Sequence, residues 1–206
     1  QLSFIGSSMT TRNKSCESEV MLTMQRKELL KRSAIRHAEY YGMVEVQDAL
    51  YADSANKKIF TDLISIIGSD ANIKMAYRNL KSNKGSNTPG VDGKTFKDLA
   101  EMSEEALVRC VRDKILNYQP KAVRRVYIPK PNGKMRPLGI PTVIDRIVQQ
   151  SVLQVMEPIC EAKFYRHSYG FRPNRSTKNA VAVCYKLAQV DGFHYVVDVD
   201  IKGFFD

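Results

Sequence analysis

The chain has 206 residues, 43% of them apolar, enough for one ordinary core or two small subdomains built around a shared one. Its four cysteines (Cys16, Cys110, Cys160 and Cys184) form no CxxC pair, its three histidines are scattered, and it has neither an eighteen-residue apolar run nor a signal-peptide layout. A reduced, cytoplasmic protein with no disulfide framework, zinc site or membrane span is therefore expected. The net charge of +10 is concentrated, because residues 121–186 hold 13 of the 32 Lys and Arg but 3 of the 22 acids, Asp145, Glu157 and Glu161. Such a surface repels itself, and it suits either a polyanionic partner such as nucleic acid or a well-solvated basic face.

Residues 1–16 read as a disordered or appended start. From Glu17 to Ile67 strong helix formers dominate, with Phe60, Leu63, Ile64 and Ile67 at helical spacing, so 17–68 is expected to be a helical extension. A further helix is predicted from Ala71 to Lys81, carrying Ile73, Ala76, Tyr77 and Leu80 on its inner face. The run SNKGSNTPGVDGK that follows is a loop by composition. Ser103 caps a helix that ends near Tyr118, ahead of Pro120. Val126 to Ile128 and Met135 to Ile140 then form a β-hairpin around Pro131-Asn132-Gly133, with Lys130, Lys134 and Arg136 at its tip. Thr142 and Asp145 have capping-box-like spacing and begin a buried helix with Ile144, Ile147 or Val148, Val152 and Val155 on one stripe, reaching Pro158. Ser176 caps a last helix through Leu187. The domain pattern expected is 69–192 as one unit and 193–206 as the beginning of another.

In the closing segment, FHYVVDVDIKGFFD, alternation from Tyr195 to Ile201 predicts a strand with Val196, Asp198 and Asp200 on one face. Asp is disfavoured in strands, and two at i and i+2 concentrate negative charge. Either a divalent cation offsets it or the face is simply solvated. Tyr51-Ala52-Asp53 carries a carboxylate as well, but it sits in a helical stretch and is set aside.

Four segments, in chain order, resemble group II intron-encoded reverse transcriptases, also called maturases: NKGSNTPGVDGKT, RRVYIPKPNGKMRPLGIPTVIDR, HSYGFRPNRST and DVDIKGFFD. The resemblance runs from about residue 70 to the end, and the first 65 residues match less distinctly. It implies an α+β fold, the fingers and partial palm of a right-hand polymerase, with a helix-rich N-terminal half, the β-hairpin and the first palm strand. It implies RNA-directed DNA polymerase activity with two Mg2+ ions in the complete enzyme. By position, Asp200 would be the catalytic, metal-binding aspartate, with the Ile201 carbonyl as a further metal ligand and Asp198 as a neighbour. Arg124, Lys130, Arg136 and the steric-gate ring of Phe205 would hold the incoming dNTP. Asn83, Lys84, Gly85, Val126, Ile140, Pro141, Arg166, Phe171, Arg172 and Arg175 would line the template RNA.

The partners so implied are intron RNA, template RNA with a DNA primer, and dNTP, with roles in intron splicing and mobility and no membrane. The family's palm hairpin would bring two further carboxylates after Asp206, so the 206 residues alone are expected to be inactive. An open strand edge at Val196 to Ile201 would allow a homodimer. The alternatives are a non-catalytic RNA-binding module, or a retron, diversity-generating or CRISPR-associated reverse transcriptase.

Overall fold

The computed structural model describes residues 35–131 and 133–201. The expectations for 1–34, Asn132 and Phe205 lie outside the described residues. Those described gather into two compact units, one ending at Ala162 and one beginning at Lys163.

The first unit is helical, with one hairpin. A short helical run at 35–40 precedes α1 (Val44–Ala55), α2 (Leu63–Ile67) and α3 (Asp70–Lys81). Tyr51 to Asp53 lie within α1, and Asp53 pairs with Lys58 at 2.7 Å. The Gly-rich stretch contains a 3-10 turn, Lys84–Asn87, and is followed by α4 (Phe96–Leu99) and α5 (Glu104–Leu116). Strands β1 (Arg124–Pro129) and β2 (Met135–Ile140) pair antiparallel, and α6 (Val143–Glu161) completes the unit.

Serine and threonine caps set most of these starts. The side chains of Ser69, Ser103 and Thr142 each accept from the backbone N–H three residues on, which satisfies one of the amide groups a helix leaves unpaired. α4 was not anticipated. Its signature is Thr95 with Asp98: the Asp98 carboxylate accepts from the Thr95 N–H at 2.6 Å and the Thr95 hydroxyl at 2.7 Å.

α6 is the spine. Its first half, through Val143, Ile147 and Val148, packs with Ile73 and Ala76 of α3, Phe96 and Leu99 of α4, and Leu107, Val108 and Val111 of α5. Its second half, through Val155 and Ile159, packs with Leu50 of α1 and Ile67 of α2. Burying one such aliphatic side chain contributes about 1.5–3 kcal/mol, so the helix is held along both halves. The expected stripe is displaced in one place, since Val152 is exposed while Ser151 and Gln154 are buried.

The helix also continues through Pro158 rather than ending there. Proline has no N–H to give the Gln154 carbonyl, but the Gln47 side-chain amide of α1 donates to that oxygen at 3.2 Å. One face of α1 thus satisfies α6 twice, because the Ser54 hydroxyl donates to the Ile159 carbonyl at 2.8 Å.

In the second unit, a turn-rich stretch leads into α7 (Thr177–Gln189), capped as expected by Ser176. The strand expected from Tyr195 to Ile201 is not formed: 193–201 has no regular structure and its side chains are exposed. A strand is held by hydrogen bonds to a neighbour, and no described residue supplies one here.

Candidate nucleic-acid and nucleotide interface

The hairpin sorts the predicted residues by its register. Arg124 faces Ile140, Val126 faces Leu138 and Ile128 faces Arg136. Side chains alternate along a strand and opposed residues share a face, so Arg124, Val126, Ile128, Arg136, Leu138 and Ile140 lie on one side. Two of the predicted phosphate-binding cations and two of the predicted template-packing residues are therefore brought together. Arg125, Tyr127, Pro129, Met135, Pro137 and Gly139 occupy the other side. The predicted face is graded: Arg124, Val126 and Ile140 are half-buried at its base, whereas Ile128 and Arg136 are exposed toward the tip. Lys130 is exposed beyond the end of β1, where its N–H donates to the Lys134 carbonyl at 2.8 Å and closes the turn. Among the described residues neither Arg136 nor Lys130 has a carboxylate partner, so within that set no ion pair has to break before either meets a phosphate group.

The loop carrying Asn83, Lys84 and Gly85 is fastened to the base of this hairpin. Arg124 Nε donates to the Pro89 carbonyl at 3.0 Å. Arg146, in the first turns of α6, donates through Nε to Pro141 O at 3.0 Å, through Nη1 to Gly85 O at 3.0 Å and through Nη2 to Thr88 O at 2.7 Å. Burial draws the Arg146 guanidinium below its usual range, the Asp92 carboxylate opposes that shift and Arg124 adds to it. It still carries its charge, as arginine does in proteins. Gly90 packs on Thr142 so closely that a Cβ there would lie 2.7 Å from Thr142 Cα. The side chains of Asn83 and Lys84 remain exposed. Sequence reasoning had not singled out Arg146. A signal was present: a cation near a helix N-terminus opposes the helix dipole and needs its own acceptors.

The second unit holds the other predicted contacts in a turn. Arg172 is 9% exposed; its Nη1 donates to the carbonyls of Tyr165 at 2.8 Å and Ser168 at 3.0 Å, and its guanidinium lies 5.1 Å from the centre of the Phe164 ring. These two hydrogen bonds go to the turn itself. Arg175 donates to the Arg166 carbonyl at 2.7 Å and lies 5.6 Å from the Tyr169 ring centre. Arg166 and Phe171 are exposed, and Phe171 stands fully in solvent at φ 55°. A bulky residue in the left-handed region is strained by about 1–2 kcal/mol, a cost that concentrates at functional positions.

Asp198, Asp200 and Ile201 are exposed in the segment without regular structure. A divalent ion of the magnesium type takes several oxygen ligands, carboxylates among them. No group of three or more His, Cys, Asp or Glu suited to an ion gathers among the described residues, so by themselves they do not fit it. No described helix is long and apolar enough to cross a membrane. Cys110, Cys160 and Cys184 are free.

Known proteins carry the same pattern. Residues 128–206 match the family described as Reverse transcriptase (RNA-dependent DNA polymerase). Protein YkfC of Escherichia coli K12 is 45% identical over 137 residues, covering 64% of this chain and 35% of the relative. Group II intron-encoded protein LtrA of Lactococcus lactis subsp. cremoris is 41% identical over 133 residues, covering 64% of this chain and 22% of the relative. The chain thus spans about a third or less of the length of these relatives. The stretch 128–206 contains β2, Lys130, Lys134, Arg136, α6 and the basic turn, so this part of the chain is similar to part of the reverse transcriptase family and the chain is similar to a segment of group II intron-encoded proteins.

Proposed function

We propose that these residues are the fingers and first palm segment of an RNA-directed DNA polymerase that binds template RNA, a DNA primer and dNTP, and that acts on its own intron RNA in splicing and mobility. The observation that carries the reading is the hairpin register, which puts Arg124, Val126, Arg136 and Ile140 on one face beside an anchored loop, at the start of the stretch 128–206 that matches the reverse transcriptase family. In this reading Lys130 and Arg136 grip the triphosphate, whose charge needs fixed cations. Arg124 anchors the loop while adding charge at the base of the face. Val126, Ile140 and Pro141 meet the templating base, Asp200 contributes one carboxylate of the polymerase centre, and Phe205 excludes a ribose 2′-hydroxyl.

A second reading, an RNA-binding module without catalysis, is favoured by the turn at 163–175. There Arg166 and Phe171 are both exposed and the Arg175 guanidinium lies over the Tyr169 ring, a combination that suits a single strand and needs no catalytic centre. The two readings share RNA as ligand and separate on chemistry. The test uses the full-length parent protein: Asp200→Ala is expected to abolish primer extension and leave RNA affinity unchanged, and Lys130→Ala with Arg136→Ala to raise the KM for dNTP. Undiminished extension by Asp200→Ala would remove the polymerase role assigned to this residue.

A further inference from the structure

The loop at 83–94 has the composition of a mobile surface turn, yet its carbonyl oxygens have defined partners far away in sequence. Gly85 O and Thr88 O both accept from Arg146, Pro89 O accepts from Arg124, and the third nitrogen of the Arg146 fork takes Pro141 O at the junction of β2 and α6. The loop's own N–H groups close short turns, with Ser86 donating to Asn83 O and Thr88 to Gly85 O, each at 3.0 Å. Gly90 completes the fastening, since its close approach to Thr142 and to Pro141 O leaves no room for a side chain.

Two costs are attached to Arg146. Its guanidinium is partly desolvated, and a cation near the N-terminus of α6 opposes the helix dipole. Three carbonyl oxygens, one on each nitrogen of the guanidinium, offset both, because each is the negative end of a peptide dipole and charge-assisted hydrogen bonds are stronger than neutral ones. The geometry has an electrostatic consequence. A loop carbonyl pointing outward would repel a phosphate, whereas the loop carbonyls of Gly85 and Thr88 point at the Arg146 guanidinium and that of Pro89 at the Arg124 guanidinium.

We propose that Arg146 is a positioning residue that locks loop 83–94 in one conformation against the base of the hairpin, with its carbonyl oxygens turned onto the protein so that the outer surface of the loop accepts the phosphate backbone of an RNA strand. The inference rests on RNA being the ligand, as in the function proposed above. Lysine cannot replace the arginine, because a single ammonium group cannot hold three acceptors spread across a planar fork.

Arg146→Lys, Arg146→Gln and Gly90→Ala are compared with wild type by amide hydrogen exchange in 83–94 and by binding to a single-stranded RNA oligonucleotide at several salt concentrations. Loss of about 1.4 kcal/mol of hydrogen bonding corresponds to a tenfold change. Exchange at Ser86 and Thr88 is expected to rise about tenfold in all three variants and RNA affinity to fall by a similar factor. Lysine should be no better than glutamine, and the salt slope should be unchanged in Arg146→Lys because no phosphate contact has been lost. Full recovery of RNA binding by Arg146→Lys would show that the charge alone matters and would overturn the inference. Unchanged exchange across 83–94 would overturn it equally. Should Arg146→Gln unfold the chain, Gly90→Ala decides, since it disturbs the same loop with both arginines intact, and wild-type exchange and binding in that variant would count against the lock. Failure of the wild-type chain to bind RNA would sink the functional reading, while the exchange data would still decide whether Arg146 holds the loop.

Discussion

Replacing Asn72 with alanine should cost about 4–6 kcal/mol of stability, far more than its size suggests. Asn72 is fully buried on α3, where its amide nitrogen donates to Ile67 O at 3.0 Å and to Ser151 O at 2.9 Å, and its side-chain oxygen accepts from Gln154 Nε2 at 2.7 Å. Gln154 is fixed in turn: it donates to Asn72 O at 3.1 Å and accepts from Asn79 Nδ2 at 3.0 Å, and Asn79 meets His37 Nδ1 at 2.7 Å. These amides tie α3 to α6, the helix that carries the loop anchor at its other end. Alanine removes three neutral hydrogen bonds, each worth about 1 kcal/mol net, and leaves buried partners facing a space without water, at roughly 1–3 kcal/mol for a group left unsatisfied. Domains have about 5–15 kcal/mol in all, so the loss is a large share. Urea unfolding followed by far-UV circular dichroism measures it, with Ile73→Val as a packing control expected to cost about 1 kcal/mol. The double variant Asn72→Ala/Gln154→Ala should be less damaging than the sum of the singles by about 1–2 kcal/mol, because each single strands the other's partner. A loss below about 1 kcal/mol for Asn72→Ala, or strict additivity, would refute the reasoning.

Gln47→Ala should cost about 1 kcal/mol in the natural background and close to nothing beside Pro158→Ala, where the restored N–H of residue 158 can take the Gln154 carbonyl; equal costs in both backgrounds would mean that Gln47 does not substitute for the missing donor. Hydrogen bonds from Thr95, side chain first and then backbone, hold the Asp98 carboxyl below its ordinary value of 3.8, so its contribution to stability is complete above that pH and is lost as the pH falls through the folded-state value. The stability gap between wild type and Asp98→Ala should therefore be present at pH 6 and close in acid, and a gap that widens in acid would be the wrong sign. Phe171→Gly should relieve the left-handed backbone, leaving the second unit as stable or more stable by about 1 kcal/mol, while weakening binding to single-stranded RNA. Unaltered RNA affinity in that variant would make the exposed ring a bystander.

The elements that could be read from sequence are those whose causes lie within one turn or one strand pair. Ser69, Ser103, Thr142 and Ser176 each cap through a hydrogen bond to the amide three residues on, so the starts of α3, α5, α6 and α7 fall where capping chemistry puts them. The hairpin is equally local, and once its register is set the alternation of side chains assigns Arg124, Val126, Arg136 and Ile140 to one face. The family resemblance of 128–206 is likewise a property of residue order, and comparison with known proteins agrees with it.

Other features depend on partners distant in the chain. Whether α6 stops at Pro158 turned on a glutamine 107 residues from Gln154. The anchoring of the Gly-rich loop rests on contacts spanning 58 and 61 residues, which neither the composition of the loop nor the position of Arg146 in the chain reveals. Arg172, which the resemblance would place at the template RNA, is largely buried, with Nη1 donating to two carbonyls of its own turn, a burial its sequence position does not reveal. The alternating run from Tyr195 to Ile201 has the composition of a strand, yet a strand exists through its neighbour's hydrogen bonds, and pattern alone cannot supply them. Sequence by itself determined several helix starts, the hairpin and the family resemblance, because these follow from residues close along the chain and from their order. Tertiary structure alone decided which carbonyls the arginines hold and which side chains are buried, since those depend on where the folded backbone brings distant acceptors.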